Sequence, residues 1–288
     1  MNLVQRSIDV IRAGQSPTGG YVASPNFEQY RYSWLRDGSF IADAMREAGE
    51  TESADRFFDW CARVILARPT GPWDARYTLD GEPDSSEWPK LQIDGLGLFL
   101  GALRRRGDWS RWQEAFDTVS RWLGHHWHDP CVDWWEEREG IHAVTLWCVG
   151  NGLASDEIKR EALARAGDRL DGSLLFIGTP ELVERVEESL VFDGGVHRHL
   201  DDDYYGGGQW LLLTAMLGLA KPERAAECLA WIEAHAAPNG DLPEQAQDHL
   251  LHPEAYEPWV ARWGEPPSPL LWSHAMYLRL HHALRDRR

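Results

Sequence analysis

The 288 residues, 43% of them hydrophobic, suffice for one large globular domain with a sizeable core. A formal net charge of −17 repels phosphate backbones and anionic lipid head groups, so neither nucleic acid nor a membrane is an expected partner. Four widely spaced cysteines predict buried thiols and a cytoplasmic location, and the amphipathic N-terminus lacks the apolar run of a signal peptide.

Helical periodicity dominates the chain. After an amphipathic N-terminal stretch, apolar residues recur at i, i+4 and i+7 around residues 57–68 and 112–123. Further helices are predicted near residues 38–49, 92–105, 141–153, 157–170, 180–190, 208–219, 222–236 and 270–285. Residues 76–79 and 196–199 look extended. Eleven or twelve helices without a linker predict one all-α domain over residues 1–288.

Two all-α architectures fit this pattern. Six helical hairpins closed into a ring would form an (α/α)6 toroid, and an irregular helical array fits the periodicity equally well. In either case the polar, aromatic and glycine-rich clusters fall between helices, at residues 26–37, 73–95, 127–140, 193–210 and 239–268. A rigid helical scaffold places functional side chains on such loops.

The segment CVDWWEEREG places Glu136 and Glu137 directly after Trp134 and Trp135. A carboxylic acid that donates a proton near neutral pH must stay protonated, and indole packing and a neighbouring carboxylate both favour that form. One of the two glutamates is therefore a candidate general acid. A solvated acidic loop beside core tryptophans explains the segment equally well.

A second carboxylate, Glu244, follows a glycine turn in NGDLPEQAQD. Glycosidic bond cleavage requires an acid for the leaving group and a second carboxylate that acts on the anomeric centre, directly or through water. Glu244 is a candidate for that second role. Taken alone it fits a helix N-terminal charge better, because glutamate is common in a first helical turn.

The segment YRYSWLRDGSF joins aromatic rings to adjacent Arg36 and Asp37. A forked donor beside an acceptor suits paired sugar hydroxyls, and aromatic rings suit the faces of a sugar. An Arg–Asp pair that caps the following helix is the structural alternative. The 16 tryptophans of the chain fit sugar platforms and large core residues alike.

The segment GGVHRHLDDDYYGGGQW carries three consecutive aspartates, residues 201–203, near His197 and His199. The run lacks EF-hand spacing, and no HExxH pattern accompanies it, so no metal and no cofactor is predicted.

Together these segments resemble glycoside hydrolase family 15, the glucoamylase, glucodextranase and α,α-trehalase group. The resemblance covers nearly the whole chain in order. It rests on Arg36–Asp37 after three aromatic residues, and on EWPKLQIDG, DWWEER, GGVHRHLDDDYYGGGQW, LPEQ and PLLWSHAMYL. Each motif is weak alone, and six in the family's order are specific.

The resemblance implies an (α/α)6 toroid and an inverting mechanism. It implies that Glu136 is the general acid and Glu244 the base that activates water. It further implies substrate-binding roles for eleven residues: Tyr30, Tyr32, Trp34, Arg36, Asp37, Trp88, Trp135, Glu137, Arg198, Asp202 and Trp210.

The sequence also departs from the family pattern. After DWWEER it reads GIHAVTLWCVGNGL in place of a polar helix start, which leaves acceptor recognition open. The chain is short for the family, with no room for a β-sandwich or a starch-binding module, so a small substrate is expected.

The predicted activity is exo-acting hydrolysis of a short α-glucoside with release of β-glucose. Trehalose hydrolysis, glucosyl transfer, a retaining phosphorylase-like toroid and a catalytically silent carbohydrate-binding relative are the alternatives. Linkage specificity and oligomeric state are left open.

Overall fold

A computed structural model of the chain describes residues 2–286, which contain twelve α-helices. In chain order these are α1 Leu3–Ala13, α2 Leu35–Glu47, α3 Thr51–Ala67, α4 Asp94–Arg106, α5 Gln113–His126, α6 Ala143–Leu153, α7 Asp156–Arg165, α8 Pro180–Leu190, α9 Leu211–Ala220, α10 Ala225–Ala234, α11 Pro253–Trp263 and α12 Leu271–Arg285.

The strands in this part of the chain are two or three residues long. In chain order they are β1 Ser33–Trp34, β2 Arg76–Tyr77, β3 Cys131–Val132, β4 Glu139–Gly140, β5 Val191–Phe192, β6 Gly195–His197, β7 Gln209–Trp210 and β8 Gln245–Ala246. Strands β1 and β2 pair, β3 and β4 pair, and β5 to β8 form one antiparallel sheet in sequence order. All eight lie between helices, where they fix the loops.

The chain divides into two compact units, each with six of these helices. Unit 1 comprises residues 2–13, 24–30 and 169–286, and unit 2 comprises residues 14–23 and 31–168. The sequence prediction of a single catalytic domain over residues 1–288 stays a prediction.

Helix α4 lies at the centre of unit 2, where α2 packs on one side of it and α6 on another. Its sequence DGLGLFLGALRRR is buried from Asp94 to Leu103 and ends in three arginines. Those cations complement the negative end of the helix dipole. Gly107, with φ of 91°, ends the helix in a conformation that glycine adopts without strain.

Helix α9 has the corresponding position in unit 1. It is apolar all round, LLLTAMLGLA, and packs against α10 and α12, while α1 packs on α12. A helix without a polar face has to be covered by its neighbours. Helices α1, α3, α5 and α8 are amphipathic, with their apolar side chains buried on one face.

Most predicted elements are confirmed within a few residues, including the two extended pieces at residues 76–79 and 196–199. The interpretation of residues 239–268 as a loop is wrong in its second half, where α11 forms. This helix has no fully buried residue and contains Pro258, so it lacks the apolar periodicity on which the prediction depended. It packs through Tyr256 and Trp259 against the turn at Tyr204–Gly206.

The four cysteines are free, buried thiols, as predicted. Within residues 2–286, no helix combines the length and the apolar character that are needed to cross a bilayer.

The close contact of α4 with α6 predicts the effect of a single methyl group. A Cβ at Gly97 would lie 2.5–2.6 Å from backbone atoms of Cys148 and Val149, so the two helices would have to separate. We expect Gly97→Ala to lower the free energy of unfolding by about 2–3 kcal/mol, measured by urea denaturation.

Gly101→Ala on the same helix is the matched control. Its Cβ would meet no backbone atom and only the guanidinium of Arg105, at 3.2 Å, which is paired with Asp43, so a change within about 1 kcal/mol of zero is expected. Equal destabilisation by both substitutions would contradict this account of the helix contact.

Candidate active site

Glu136 lies in the turn of a short β-hairpin in unit 2. Strands β3 and β4 pair with Cys131 opposite Gly140. Asp133 closes the turn, because its backbone N–H donates to the Arg138 carbonyl at 2.8 Å. Glu136 has φ of 65°, a left-handed conformation that a non-glycine residue keeps only where its surroundings fix it.

Both oxygens of the Glu136 carboxylate accept an indole N–H. Trp34 donates to Oε1 and Trp88 to Oε2, each at 2.6 Å. Arg36 Nη1 lies 3.4 Å from Oε1. These four residues, Trp34, Arg36, Trp88 and Glu136, form what we call the Glu136 site. The carboxylate of Glu136 is oriented mainly by neutral donors, and the side chain is 6% exposed.

Arg36 connects the Glu136 site to its surroundings. Its Nε donates to Asp37 at 3.1 Å and its Nη1 to Gln92 Oε1 at 2.8 Å. Gln92 in turn donates through Nε2 to the carbonyl of Asp133, at 2.7 Å, in the hairpin turn. One amide side chain therefore links the guanidinium to the loop that carries Glu136.

Two further buried carboxyl groups lie near this guanidinium. Burial raises the pKa of Asp37 to about 6, although Arg36 acts in the opposite direction. Burial likewise raises the pKa of Asp94 to about 7, again against the effect of Arg36. One cation therefore does not neutralise all the carboxylates around it, and Asp94 keeps part of its proton near neutral pH.

The other predicted substrate-binding residues of unit 2 lie nearby in sequence. Tyr32 is half-buried, and the Arg76 guanidinium stacks over its ring with 4.1 Å between the guanidinium carbon and the ring centroid. Trp135 is half-buried beside Glu136, and Glu137 is exposed. Their contacts with a substrate stay predictions.

Unit 1 contains the second predicted glutamate. Glu244 is 2% exposed, and Tyr30 and Tyr204 hydrogen-bond to its carboxylate. The other oxygen, Oε2, is buried without a hydrogen-bond partner among the described residues. Burial raises the pKa of Glu244 to about 8, and the charge of Arg198 and the two tyrosine hydrogen bonds lower it less. These residues form the Glu244 site.

Backbone pairing fixes this arrangement. The Glu244 N–H donates to Pro267 at 2.9 Å, and its carbonyl accepts the N–H of Leu211 at the start of α9. The next residue, Gln245, pairs with Trp210 across β7 and β8. The glutamate is thus held between a strand and a helix N-terminus.

Arg198, Asp202 and Trp210, which the sequence predicts as substrate-binding residues, lie close together in unit 1. Arg198 binds Asp202 through two hydrogen bonds, of 2.8 and 2.6 Å, and all three side chains are buried. Its guanidinium also lies 5.0 Å from the centre of a Trp210 ring. Of the acidic run, Asp202 is therefore neutralised by an arginine, and Asp201 pairs with His199 at 2.8 Å.

Two residues of the site received no role from the sequence. Gln92 lies in the quoted motif EWPKLQIDG, and Tyr204 lies in the acidic segment. Neither amide nor phenol chemistry marks a site by spacing alone, so only the contacts to Arg36 and Glu244 reveal them. The repeated aromatic residues around Tyr204 were the one available signal.

Comparison with known proteins gives a consistent picture. A family model described as glycosyl hydrolases family 15 matches residues 1–87. The isomaltose glucohydrolase of Kribbella flavida is 35% identical over 96% of this chain and 91% of its own length. Trehalase 2 of Sulfolobus acidocaldarius is 25% identical over 72% of this chain and 42% of its own length.

Solved structures that resemble this chain are also glycoside hydrolases. A glycosidase variant in complex with glucose has a TM-score of 0.86 at 34% identity, covering 98% of this chain and 96% of that one. A bacterial glucoamylase complexed with acarbose has a TM-score of 0.77 at 18% identity, covering 99% of this chain and 56% of that one, which bears on the fold alone. The fold is the all-α (α/α)6 fold of these neighbours, as predicted.

The raised pKa of Asp94 predicts a pH-dependent stability. A folded-state pKa of about 7 lies above the ordinary 3.8, so its contribution to stability is complete below about pH 4 and is lost as pH rises through 7. We expect Asp94→Asn to gain about 1–3 kcal/mol relative to the unsubstituted protein between pH 4 and pH 8, measured by urea unfolding.

Asp84→Asn serves as the control of opposite sign. Burial raises the pKa of Asp84, but hydrogen bonds from Ser86 and Arg76 outweigh that effect and lower the pKa to about 2. The charged form of Asp84 therefore stabilises the fold. This variant should lose stability throughout that range. A pH-independent effect of Asp94→Asn would show that its ionisation is not coupled to folding.

Proposed function

The chain belongs to the glycosyl hydrolases of family 15 and is an α-glucoside hydrolase, and on that basis we propose that it is an exo-acting, inverting enzyme. It would release β-glucose from the non-reducing end of short α-linked oligosaccharides. Glu136 would act as the general acid and Glu244 as the base that activates water.

The observation that supports Glu244 most strongly is its buried Oε2. A base that activates water needs an oxygen whose lone pairs are not already engaged by protein donors. Oε2 meets that requirement within the described part of the chain, while Tyr30 and Tyr204 hold the carboxylate. Tyrosine donors orient the group without adding a charge.

The contacts of Glu136 support the role of acid. Oε1 accepts hydrogen bonds from Trp34 and Arg36, whereas Oε2 accepts one indole N–H, from Trp88, which leaves a lone pair on Oε2 for the proton that goes to the leaving group. The indoles are neutral donors and orient the carboxyl group without adding a charge. The neighbouring guanidinium of Arg36 stabilises the carboxylate that remains after proton donation.

The protonation of Glu244 in the substrate-free protein affects its proposed role as the base. With a pKa of about 8, Glu244 holds a proton at neutral pH in the substrate-free protein. It becomes a base when that proton leaves. Positive charge that develops on the sugar in the transition state favours the ionised carboxylate beside it.

Substrate size follows from the comparison with the glucohydrolase. That alignment extends over 351 positions, more than the 288 residues of this chain, so the relative has internal segments that this chain lacks. Shorter connections leave fewer residues to bind additional sugar units. Isomaltose, the substrate in the relative's name, contains only two sugar units and is therefore our first candidate.

The proposal includes no metal or cofactor, because two carboxyl groups supply the acid and the base. The net charge of −17 favours a neutral sugar over an anionic one. The four buried thiols support a cytoplasmic location. Oligomeric state is left open.

Product analysis tests reaction and linkage together. Incubation with isomaltose, maltose and trehalose, followed by proton NMR in the first minutes, should show β-glucose first, with isomaltose cleaved at least about 10-fold faster. Initial release of α-glucose would indicate a retaining mechanism. Cleavage of trehalose alone would replace the proposed substrate class.

Glutamine substitutions separate the two catalytic roles. Glu136→Gln and Glu244→Gln should each reduce isomaltose turnover by about 10²- to 10⁴-fold. With an aryl α-glucoside whose leaving group has a low pKa, Glu136→Gln should recover most of its rate, because little proton donation is needed. Glu244→Gln should recover with azide, which replaces the activated water.

Glu139→Gln, an exposed change in the same hairpin, is the control and should retain full activity. Acid-type behaviour of Glu137→Gln in place of Glu136→Gln would move the acid by one residue. Exchange of the two behaviours between Glu136 and Glu244 would reverse the roles that we propose.

A further inference from the structure

The side chain of Arg76 is buried between aromatic rings in unit 2. It is 3% exposed, and its guanidinium carbon lies 3.8 Å from the centre of a Trp88 ring and 4.1 Å from that of Tyr32. The Trp34 ring centre lies 5.4 Å away. One guanidinium therefore contacts both of the indoles that donate to Glu136.

The backbone explains why Arg76 has this position. Strands β1 and β2 pair antiparallel with Trp34 opposite Arg76. Residues opposite each other on paired strands are close neighbours, so the ladder fixes Arg76 relative to Trp34.

Trp88 has no such support from a strand. It follows exposed residues 85–87 in an irregular segment, and the segment is tied to Arg76 through side chains. Arg76 Nε donates to Asp84 Oδ2 at 2.8 Å, and the backbone N–H of Trp88 donates to Ser86 Oγ at 3.2 Å. Ser86 in turn donates to Asp84 through its N–H and its hydroxyl, at 3.0 and 2.6 Å.

We propose that Arg76 is a positioning residue for Glu136, acting through the stacked indole of Trp88 and the paired Trp34. This inference rests on the proposed function, in which Glu136 is the general acid. Arg76 does two things at once: its planar face supports Trp88, and its edge holds Asp84, which anchors the Trp88 segment. A lysine ammonium lacks the flat face and the fixed fork of donors, so it cannot fully replace arginine.

The test compares two substrates that differ in their need for an acid. Arg76→Met, Arg76→Lys and Asp84→Asn are assayed on isomaltose and on an aryl α-glucoside with a leaving group of low pKa. For Arg76→Met we expect kcat on isomaltose to fall about 30- to 100-fold, with KM within about 3-fold. On the aryl glucoside kcat should fall less than about 3-fold.

Arg76→Lys should show a smaller loss with the same substrate dependence, and Asp84→Asn should follow Arg76→Met. Arg106→Met is the matched control, because Arg106 also pairs with an aspartate, Asp55, and lies 4.9 Å from the centre of a tryptophan ring, Trp112. Its contacts lie on other elements, so both substrates should keep their rates.

Equal losses on the two substrates, or an unchanged kcat on isomaltose, would overturn the inference. Should Arg76→Met fail to fold, as judged by its Tm, Arg76→Lys and Asp84→Asn carry the same comparison. Glu136→Gln is measured in parallel. If Glu136→Gln lacks acid-type behaviour, the proposed function fails; if only the Arg76 and Asp84 variants lack it, this inference fails alone.

Discussion

In each unit a buried arginine faces more carboxyl groups than it can neutralise. Arg36 interacts with Asp37, Asp94 and Glu136 in unit 2. Arg198 interacts with Asp202 and with Glu244 in unit 1. Taking several carboxylates out of water is unfavourable unless each finds a cation or keeps its proton. The excess therefore appears as raised pKa values, of about 6 for Asp37, 7 for Asp94 and 8 for Glu244.

This imbalance serves the chemistry that we propose. Acid–base hydrolysis needs one carboxyl group that holds a proton and another that can release one near the working pH. Full neutralisation by cations would fix every group as a carboxylate. Indole and phenol donors orient Glu136 and Glu244 and add no formal charge. For Glu244, burial outweighs the charge of Arg198 and the two tyrosine hydrogen bonds, so its pKa stays raised.

The sequence predicted the helices well where burial imposes periodicity. Helix α8 matches its predicted bounds, Pro180–Leu190, because its buried residues recur on one face. Helix α11 was not predicted, because none of its residues is fully buried and its aromatic side chains pack on a turn. Strands such as β1 and β2 are two residues long, too short to show an alternating pattern of apolar and polar residues. Their position depends on the helices around them.

The candidate site was predicted from motifs, and its contacts were not. No periodicity places Trp88 next to Glu136, 48 positions later, and the resemblance to family 15 implied only a substrate-binding role for Trp88. Gln92 and Tyr204 were missed because their role consists of single hydrogen bonds. Arg76 was missed because stacking between rings leaves no trace in sequence spacing. Such contacts depend on packing at the level of single atoms.

The protonation of Glu244 is the most direct test of the idea that buried carboxyl groups exceed the available cations. Carbon-13 NMR of the glutamate side-chain carboxyl groups, with the Glu244 signal assigned by its loss in Glu244→Gln, measures that pKa in the substrate-free protein. The account predicts a midpoint near 8, well above the ordinary value of 4.5. A Glu244 signal that titrates together with the exposed glutamates would contradict it.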